Sequence, residues 1–101
     1  MILTKNNFNQ EVLETKGIVL VDFYADWCGP CRMLSPVIED LSKELDGKVK
    51  IFKVNVDKDE ALSDNFNIFT IPALVVFKDG KEVNRATGYT TKEKILEMLK
   101  V

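Results

Sequence analysis

The two cysteines of the chain, Cys28 and Cys31, lie where an apolar run gives way to a helical pattern. The run Ile18–Tyr24 is apolar at both odd and even positions except at Asp22, which is typical of a central strand covered on both faces. After Cys31, apolar residues recur every three or four positions as far as Leu45, which predicts an amphipathic helix. The cysteine pair therefore lies at a strand-to-helix junction, with Cys28 at the start of the helix.

This position gives the two thiols a specific chemistry. Residues three apart face each other on a helix, so Cys28 and Cys31 can close into a disulfide without unfolding the chain. Unpaired backbone N–H groups and the helix dipole stabilise a thiolate at a helix N-terminus. We interpret the pair as a reversible dithiol in which Cys28, nearer to solvent, is the nucleophile and Cys31 resolves the mixed disulfide formed on Cys28.

The alternative for two cysteines at this spacing is half of a zinc site. The chain has no His and no further Cys, so a zinc ion would need a second chain or several carboxylates. Redox chemistry is therefore favoured, and we expect no bound metal or other cofactor beyond the redox-active Cys28–Cys31 disulfide.

The length and net charge of the chain limit the kind of protein that it can be. The 101 residues are predicted to form one domain over residues 1–101, which needs no disulfide to hold it together. The net charge of −2 gives no basic surplus, so neither nucleic acid nor an anionic membrane is expected as a partner. No leader-like start or run of transmembrane length is present, and two cysteines in a reducing compartment are more often catalytic or metal-binding than structural. A cytoplasmic location is expected.

Periodicity and turn signals predict an α/β fold with a mixed five-stranded sheet flanked by four helices in three layers. The predicted strands are 2–4, Ile18–Tyr24, 49–56, Ala73–Lys78 and 82–87. The predicted helices are 6–16, 31–45, a short one opened by a capping box at 57–60, and a last one capped by 90–93. Strands two and three are expected to be parallel across a helical crossover, and Asp79-Gly80 predicts a hairpin.

Several motifs together resemble the thioredoxin family over nearly the whole chain. They are residues 21–31, which read Val-Asp-Phe-Tyr-Ala-Asp-Trp-Cys-Gly-Pro-Cys, then Pro36, residues 53–57, Ile71-Pro72 and residues 77–80. The resemblance implies the thioredoxin fold and a small monomeric protein-disulfide reductase. It implies as partners a thioredoxin reductase, which re-reduces the pair, and disulfide-containing protein substrates.

Three positions differ from the most familiar members of that family. Tyr24 stands where many carry Trp, Arg32 where many carry Lys, and Ala73 where Thr commonly follows the Pro. None of them removes a reacting group, so the differences concern the specificity of the substrate groove and not the chemistry.

Asp22 interrupts an apolar strand, so burial is expected to raise the pKa of its carboxyl. The resemblance implies that Asp22 takes the proton from Cys31 through a water, with Lys53 as its charge partner. The alternatives are that Asp22 is a tolerated polar residue and that Lys53 extends to solvent.

Around the cysteines, the resemblance implies that Gly29 and Pro30 set the redox poise. It also implies that Trp27 is a surface indole beside the nucleophile, whereas the alternative is an ordinary core aromatic.

The Ile71-Pro72 bond is cis in the family, with Pro72 against the cysteines and the Ile71 backbone pairing with the substrate as an added strand. The alternative for Pro72 is a simple turn at a strand start. Gly88 is interpreted either as a site of close substrate approach or as a turn glycine. With Trp27, Pro30 and Tyr89, these residues would form an apolar groove for protein segments.

Two other functions stay open at this point. A disulfide oxidase or isomerase would use the same cysteines, and a redox potential measured against glutathione distinguishes it. A thioredoxin-like binding subunit would form complexes that survive loss of both cysteines.

Overall fold

The computed structural model describes residues 1–101 and has the predicted α/β architecture. Its strands are β1 (Ile18–Tyr24), β2 (Val49–Asn55), β3 (Ala73–Lys78) and β4 (Lys81–Thr87). Its α-helices are α1 (Gly29–Glu44), α2 (Glu60–Asn65) and α3 (Lys92–Met98), and a single turn with π-type hydrogen bonding covers Asn9–Leu13. None of these helices has both the length and the apolar composition needed to cross a bilayer.

The sheet has the strand order β2-β1-β3-β4. β1 and β2 are parallel and joined by α1, whereas β3 is antiparallel to both β1 and β4. The hairpin between β3 and β4 turns at Asp79 and Gly80, which have φ values of 52° and 83°, as a two-residue turn of this kind requires. A Cβ on Gly80 would also collide with the carbonyl oxygen of Leu13. The predicted crossover and hairpin are confirmed.

The sheet has four strands and not the five predicted, because the first predicted strand is reduced to one bridge. Ile2 bridges Lys53 in the parallel sense, and the N–H of Leu3 donates to the Lys53 carbonyl at 2.7 Å. The chain then turns at Thr4, whose carbonyl accepts the N–H of Phe8 at 3.0 Å. Because of this turn, residues 2–4 contact β2 over too short a length to form a strand.

The predicted helix 6–16 is likewise shorter, covering only Asn9–Leu13. The N–H of Glu14 bonds to the carbonyl of Asn9 at 2.9 Å, and the Thr15 hydroxyl donates to the carbonyl of Glu11 at 2.7 Å. Because the Thr15 side chain occupies a helical acceptor, it competes with continuation of the helix. Three α-helices and one turn therefore stand in place of the four predicted helices.

Successive strand residues alternate between two cores, one on each face of the sheet. On one face, 12 buried residues, including Val21, join the sheet to Asn9–Leu13 and α2. On the other face, nine buried residues, including Leu20 and Leu34, join the sheet to α1 and α3. Asp22 has the same parity as Leu20, so its side chain projects from β1 towards the α1 face. The three-layer prediction is confirmed, and it places Asp22 on the same side as the cysteine-bearing helix.

α2 begins later than its predicted capping box, which started at Asp57. The observed N-cap is Asp59, whose Oδ1 accepts the N–H of Leu62 at 3.4 Å. Its Oδ2 accepts the N–H of Lys5 at 2.6 Å, which ties α2 to the N-terminal segment. Asp57 has a different partner, described below.

Candidate active site

Both cysteines lie in the first turn of α1. Cys28 is the N-cap residue, and its Sγ accepts the N–H of Cys31 at 3.2 Å. Gly29 and Pro30 are the first two residues of the helix, where proline is tolerated because no intrahelical acceptor awaits its missing N–H. A disulfide joins Cys28 to Cys31 with a Cα–Cα distance of 5.2 Å. Cys28 thus sits where a helix N-terminus stabilises negative charge on sulfur.

The expectation that Cys28 lies nearer to solvent is not met in this disulfide form. Cys28 is 4% exposed and Cys31 5% exposed, and both pack with Ala25 against partly buried neighbours that include Tyr24 and Ile71. The closed disulfide draws the two sulfurs into one small cluster, so exposure does not distinguish them. Their positions in the helix do, because Cys28 alone is the N-cap.

The segment before β3 lies against this cluster. The Ile71-Pro72 bond is cis, as the resemblance implies, and the Cys28 Sγ lies 3.9 Å from the carbonyl oxygen of Ile71. Pro72 is buried, and its carbonyl accepts the N–H of Gly88 at 2.7 Å. This contact places Ile71 and Pro72 beside Cys28, which a simple strand-start turn would not require.

Gly88 has a structural reason to be glycine. Its φ is 83°, in the left-handed region, and its N–H holds the Pro72 carbonyl. A Cβ at Gly88 would meet no atom within 4 Å, so the space above it is open. The structure thus gives Gly88 the turn role, and the open space leaves room for substrate approach.

Trp27 is a surface residue, with 67% of its area exposed, so its interpretation as a core aromatic is wrong. Its Nε1–H donates to Oδ2 of Asp57 at 2.7 Å, which fixes the orientation of the exposed ring on the residue before Cys28. Sequence reasoning missed this role of Asp57. Tyr24 and Asn55, the last residues of β1 and β2, are paired in the parallel register. Residues that follow the two strands by two or three positions therefore lie close together, and this signal could have predicted a contact between Trp27 and Asp57.

Asp22 is the buried carboxylate of the site. It is 1% exposed, and its Oδ1 has no hydrogen-bond partner. Burial raises the pKa of Asp22 from an ordinary 3.8 to about 6, and the charge of Lys53 opposes this rise. A carboxylate with a pKa near 6 is ionised at pH 7 and accepts a proton more readily than an exposed one.

Lys53 lies beside Asp22 in the parallel β1–β2 register. It makes no ion pair with Asp22, and its Nζ lies 4.3 Å from the centre of the Tyr24 ring. An ammonium over an aromatic face is held by the ring quadrupole. Lys53 therefore acts on Asp22 through its charge and not through a hydrogen bond.

These features define a class of protein. A disulfide in the first turn of a helix, a cis-proline segment against the first sulfur, and a buried carboxylate on the same face of the sheet constitute the centre of a thiol-disulfide oxidoreductase. No group of three or more His, Cys, Asp or Glu side chains is placed to hold a metal ion.

The comparisons with known proteins agree with this class. The family model "Thioredoxin" matches residues 1–101. The chain is 42% identical to thioredoxin of Rickettsia felis over 97 residues, which is 96% of this chain and 92% of that protein. It is 42% identical to thioredoxin of Staphylococcus haemolyticus, over 96% of this chain and 91% of that protein. It is 40% identical to thioredoxin 1 of a Nostoc species over the same shares. The chain belongs to the thioredoxin family, and it is a protein-disulfide reductase.

Proposed function

We propose that this chain is a cytoplasmic electron carrier that a thioredoxin reductase reduces and that in turn reduces disulfides of other proteins. The observation that carries the proposal is the Cys28–Cys31 disulfide in the first turn of α1, with the Cys31 N–H directed at the Cys28 sulfur. The Gly-Pro pair between the cysteines, which resembles that of the reducing members of the family, supports this direction of electron flow. The protein acts as a monomer with no bound cofactor.

The first step uses Cys28 as the nucleophile. Its thiolate attacks one sulfur of the substrate disulfide, which breaks that S–S bond and forms a mixed disulfide between Cys28 and the substrate. The departing substrate thiolate takes a proton from solvent. The helix N-terminus supports this step because it stabilises the attacking anion before the new bond forms.

The second step uses Cys31 and Asp22. The Cys31 thiol gives its proton to the Asp22 carboxylate through an intervening water, and its sulfur attacks Cys28. The mixed disulfide breaks, the Cys28–Cys31 disulfide forms, and the second substrate sulfur leaves as a thiolate and is protonated. The substrate gains two electrons and two protons. The unpartnered Oδ1 of Asp22 on the α1 face supports this assignment.

The surface beside Cys28 would receive the substrate. Trp27, Pro30 and Gly88 border it, and the Ile71 backbone next to Pro72 pairs with an extended substrate segment as an added strand. The 3.9 Å distance from the Cys28 Sγ to the Ile71 carbonyl supports this arrangement, because it brings the reacting sulfur to the pairing backbone.

Replacing each cysteine separately tests the proposal. Cys28→Ser is expected to abolish the reduction of insulin by dithiothreitol, because the thiol that attacks the substrate disulfide is lost. Cys31→Ser is expected to accumulate mixed disulfides with insulin, visible by non-reducing electrophoresis. Ser35→Ala, one turn further along α1, serves as the control and is expected to keep full activity. Retained activity in Cys28→Ser would overturn the proposal.

A further inference from the structure

Phe69 is the most exposed large hydrophobic side chain of the protein. It is 84% exposed, compared with 67% for Trp27 and 49% for Tyr89. A single exposed apolar side chain is common and needs no explanation, so its surroundings decide whether it has a role.

The chain on either side of Phe69 is held in place. Ile68 is partly buried against the core, and its N–H donates to the carbonyl of Ser63 at 3.0 Å. Pro72 is buried, and its carbonyl accepts a hydrogen bond from the N–H of Gly88. Phe69 therefore projects from an anchored loop and not from a loose one.

Nine large hydrophobic side chains are exposed, and four of them, including Phe69, belong to the segments that carry or adjoin the disulfide. Trp27 adjoins Cys28, Met33 follows Cys31 by two residues in α1, and Tyr89 follows the glycine that holds Pro72. Phe69 stands three residues before Pro72. An exposed apolar side chain on a segment that contacts the reactive disulfide is in a position to meet the molecule that reacts there.

Chain geometry limits the distance between Phe69 and the reacting sulfur. The carbonyl of Ile71 lies 3.9 Å from the Cys28 Sγ. Phe69 precedes Ile71 by two residues, so their Cα atoms are at most about 7.6 Å apart. An extended substrate advances about 3.3 Å per residue, so a side chain about two residues from the substrate cysteine comes within reach of the Phe69 ring.

We propose that Phe69 determines substrate specificity by binding an apolar side chain two residues from the reacting cysteine of the substrate. The inference rests on the proposed function, because it needs a substrate segment paired with the Ile71 backbone. The occupant is apolar because an aromatic ring with no charged partner gains most by burial against another apolar group.

Two peptides test the proposal, each with one cysteine in a mixed disulfide with thionitrobenzoate. The two peptides differ at two positions only, the second residue before the cysteine and the second residue after it. One peptide carries Leu at both positions, and the other carries Ser at both. Release of thionitrobenzoate by the reduced protein is followed by absorbance. The symmetric small disulfide of thionitrobenzoate, which has no peptide to reach Phe69, is the third substrate.

The unmodified protein is expected to react roughly five- to tenfold faster with the Leu peptide than with the Ser peptide, the ratio for partial burial of an aromatic side chain. Phe69→Ser should abolish this preference and leave the rate with the small disulfide unchanged. Val83→Ser removes an exposed apolar residue of β4 and should keep the preference.

The outcomes separate the two proposals. Equal rates with both peptides in the unmodified protein, or a preference that survives in Phe69→Ser, would overturn the role of Phe69 while leaving the reductase intact. A loss in Phe69→Ser that is equal for all three disulfides would overturn it as well. No reaction of the unmodified protein with any of the three would overturn the reductase itself.

Discussion

Asp22 and Asp59 are both buried carboxylates, but only one of them is supplied with hydrogen bonds. Asp59 is 8% exposed, and its two oxygens accept the N–H groups of Leu62 and Lys5 at 3.4 and 2.6 Å. Asp22 is 1% exposed, and its Oδ1 has no partner. The Asp59 carboxylate caps the N-terminus of α2 and holds the N-terminal segment, whereas the Asp22 carboxylate has no donor and lies on the face of the sheet that α1 covers.

Because both side chains are buried, hydrogen bonding and not burial distinguishes the two carboxyl groups. The N–H groups of Leu62 and Lys5 occupy both carboxylate oxygens of Asp59, so this side chain joins α2 to the N-terminal segment. Desolvation without such bonds favours the neutral form, which is why the pKa of Asp22 rises to about 6. A buried group without a partner destabilises the protein, so it is expected where chemistry needs it.

The sharpest test of this contrast is Asp22→Asn in the oxidised protein. The folded protein binds the Asp22 proton more tightly than the unfolded chain does between pH 3.8 and about 6. The free energy of unfolding should therefore fall as pH rises through this window, and at pH 7 the ionised Asp22 destabilises the fold. Asn cannot ionise, so the variant should be more stable at pH 7 by up to about 3 kcal/mol. Urea unfolding from pH 3.5 to 8 measures this.

The same variant separates stability from catalysis. Asp22→Asn should slow the resolving step roughly 100-fold while leaving the initial attack by Cys28 nearly unchanged, because only the second step needs the proton acceptor. Stopped-flow measurements on a mixed-disulfide intermediate distinguish the two steps. Equal slowing of both steps, or a variant no more stable than the unmodified protein at pH 7, would contradict the contrast.

Asp59→Ala should lower the stability of the protein, whereas Asp22→Asn should raise it at pH 7. It removes the cap of α2 and the bond to the Lys5 N–H, so it should destabilise the protein by about 2 kcal/mol, with activity retained. Asp59→Asn is the matched control, because Asn still caps a helix but its amide cannot accept through both side-chain atoms. It should lose about half as much. Thermal unfolding and the insulin assay measure the two effects, and a stabilised Asp59→Ala would show that Asp59 is not the structural member of the pair.

The sequence predicted the parts of the fold that are fixed by long periodic patterns. The apolar β1, the amphipathic α1 and the Asp79-Gly80 hairpin were all evident, because many residues contribute to each signal. The N-terminal segment was predicted less well, since its single bridge through Ile2 and the shortened turn at Asn9–Leu13 depend on individual hydrogen bonds. Such bonds leave no periodic pattern.

The residues of the site likewise differ in how well the sequence predicts them. The cysteines and Asp22 stand out in the sequence because their residue types are unusual for their positions. The sequence does not distinguish Asp57 from Asp59, because either aspartate could cap a helix. Only the tertiary structure shows that Asp57 accepts from the Trp27 indole and that Asp59 caps α2. The exposure of Phe69 was equally hidden, because an apolar residue before Ile71-Pro72 is compatible with burial.

Lys53→Met is the smallest test of the contrast between the two carboxylates. Lys53 supplies the one opposing charge at Asp22, so its loss should move the Asp22 pKa further above 6 and shift the pH window of stability upward. Loss of the contact with Tyr24 adds a destabilisation of about 1 kcal/mol or less. Lys50→Met, an exposed lysine of the same strand, is the control and should leave the window in place. If the two variants have the same pH profile as the unmodified protein, the charge of Lys53 does not act on Asp22, and desolvation alone sets the proton affinity of that carboxylate.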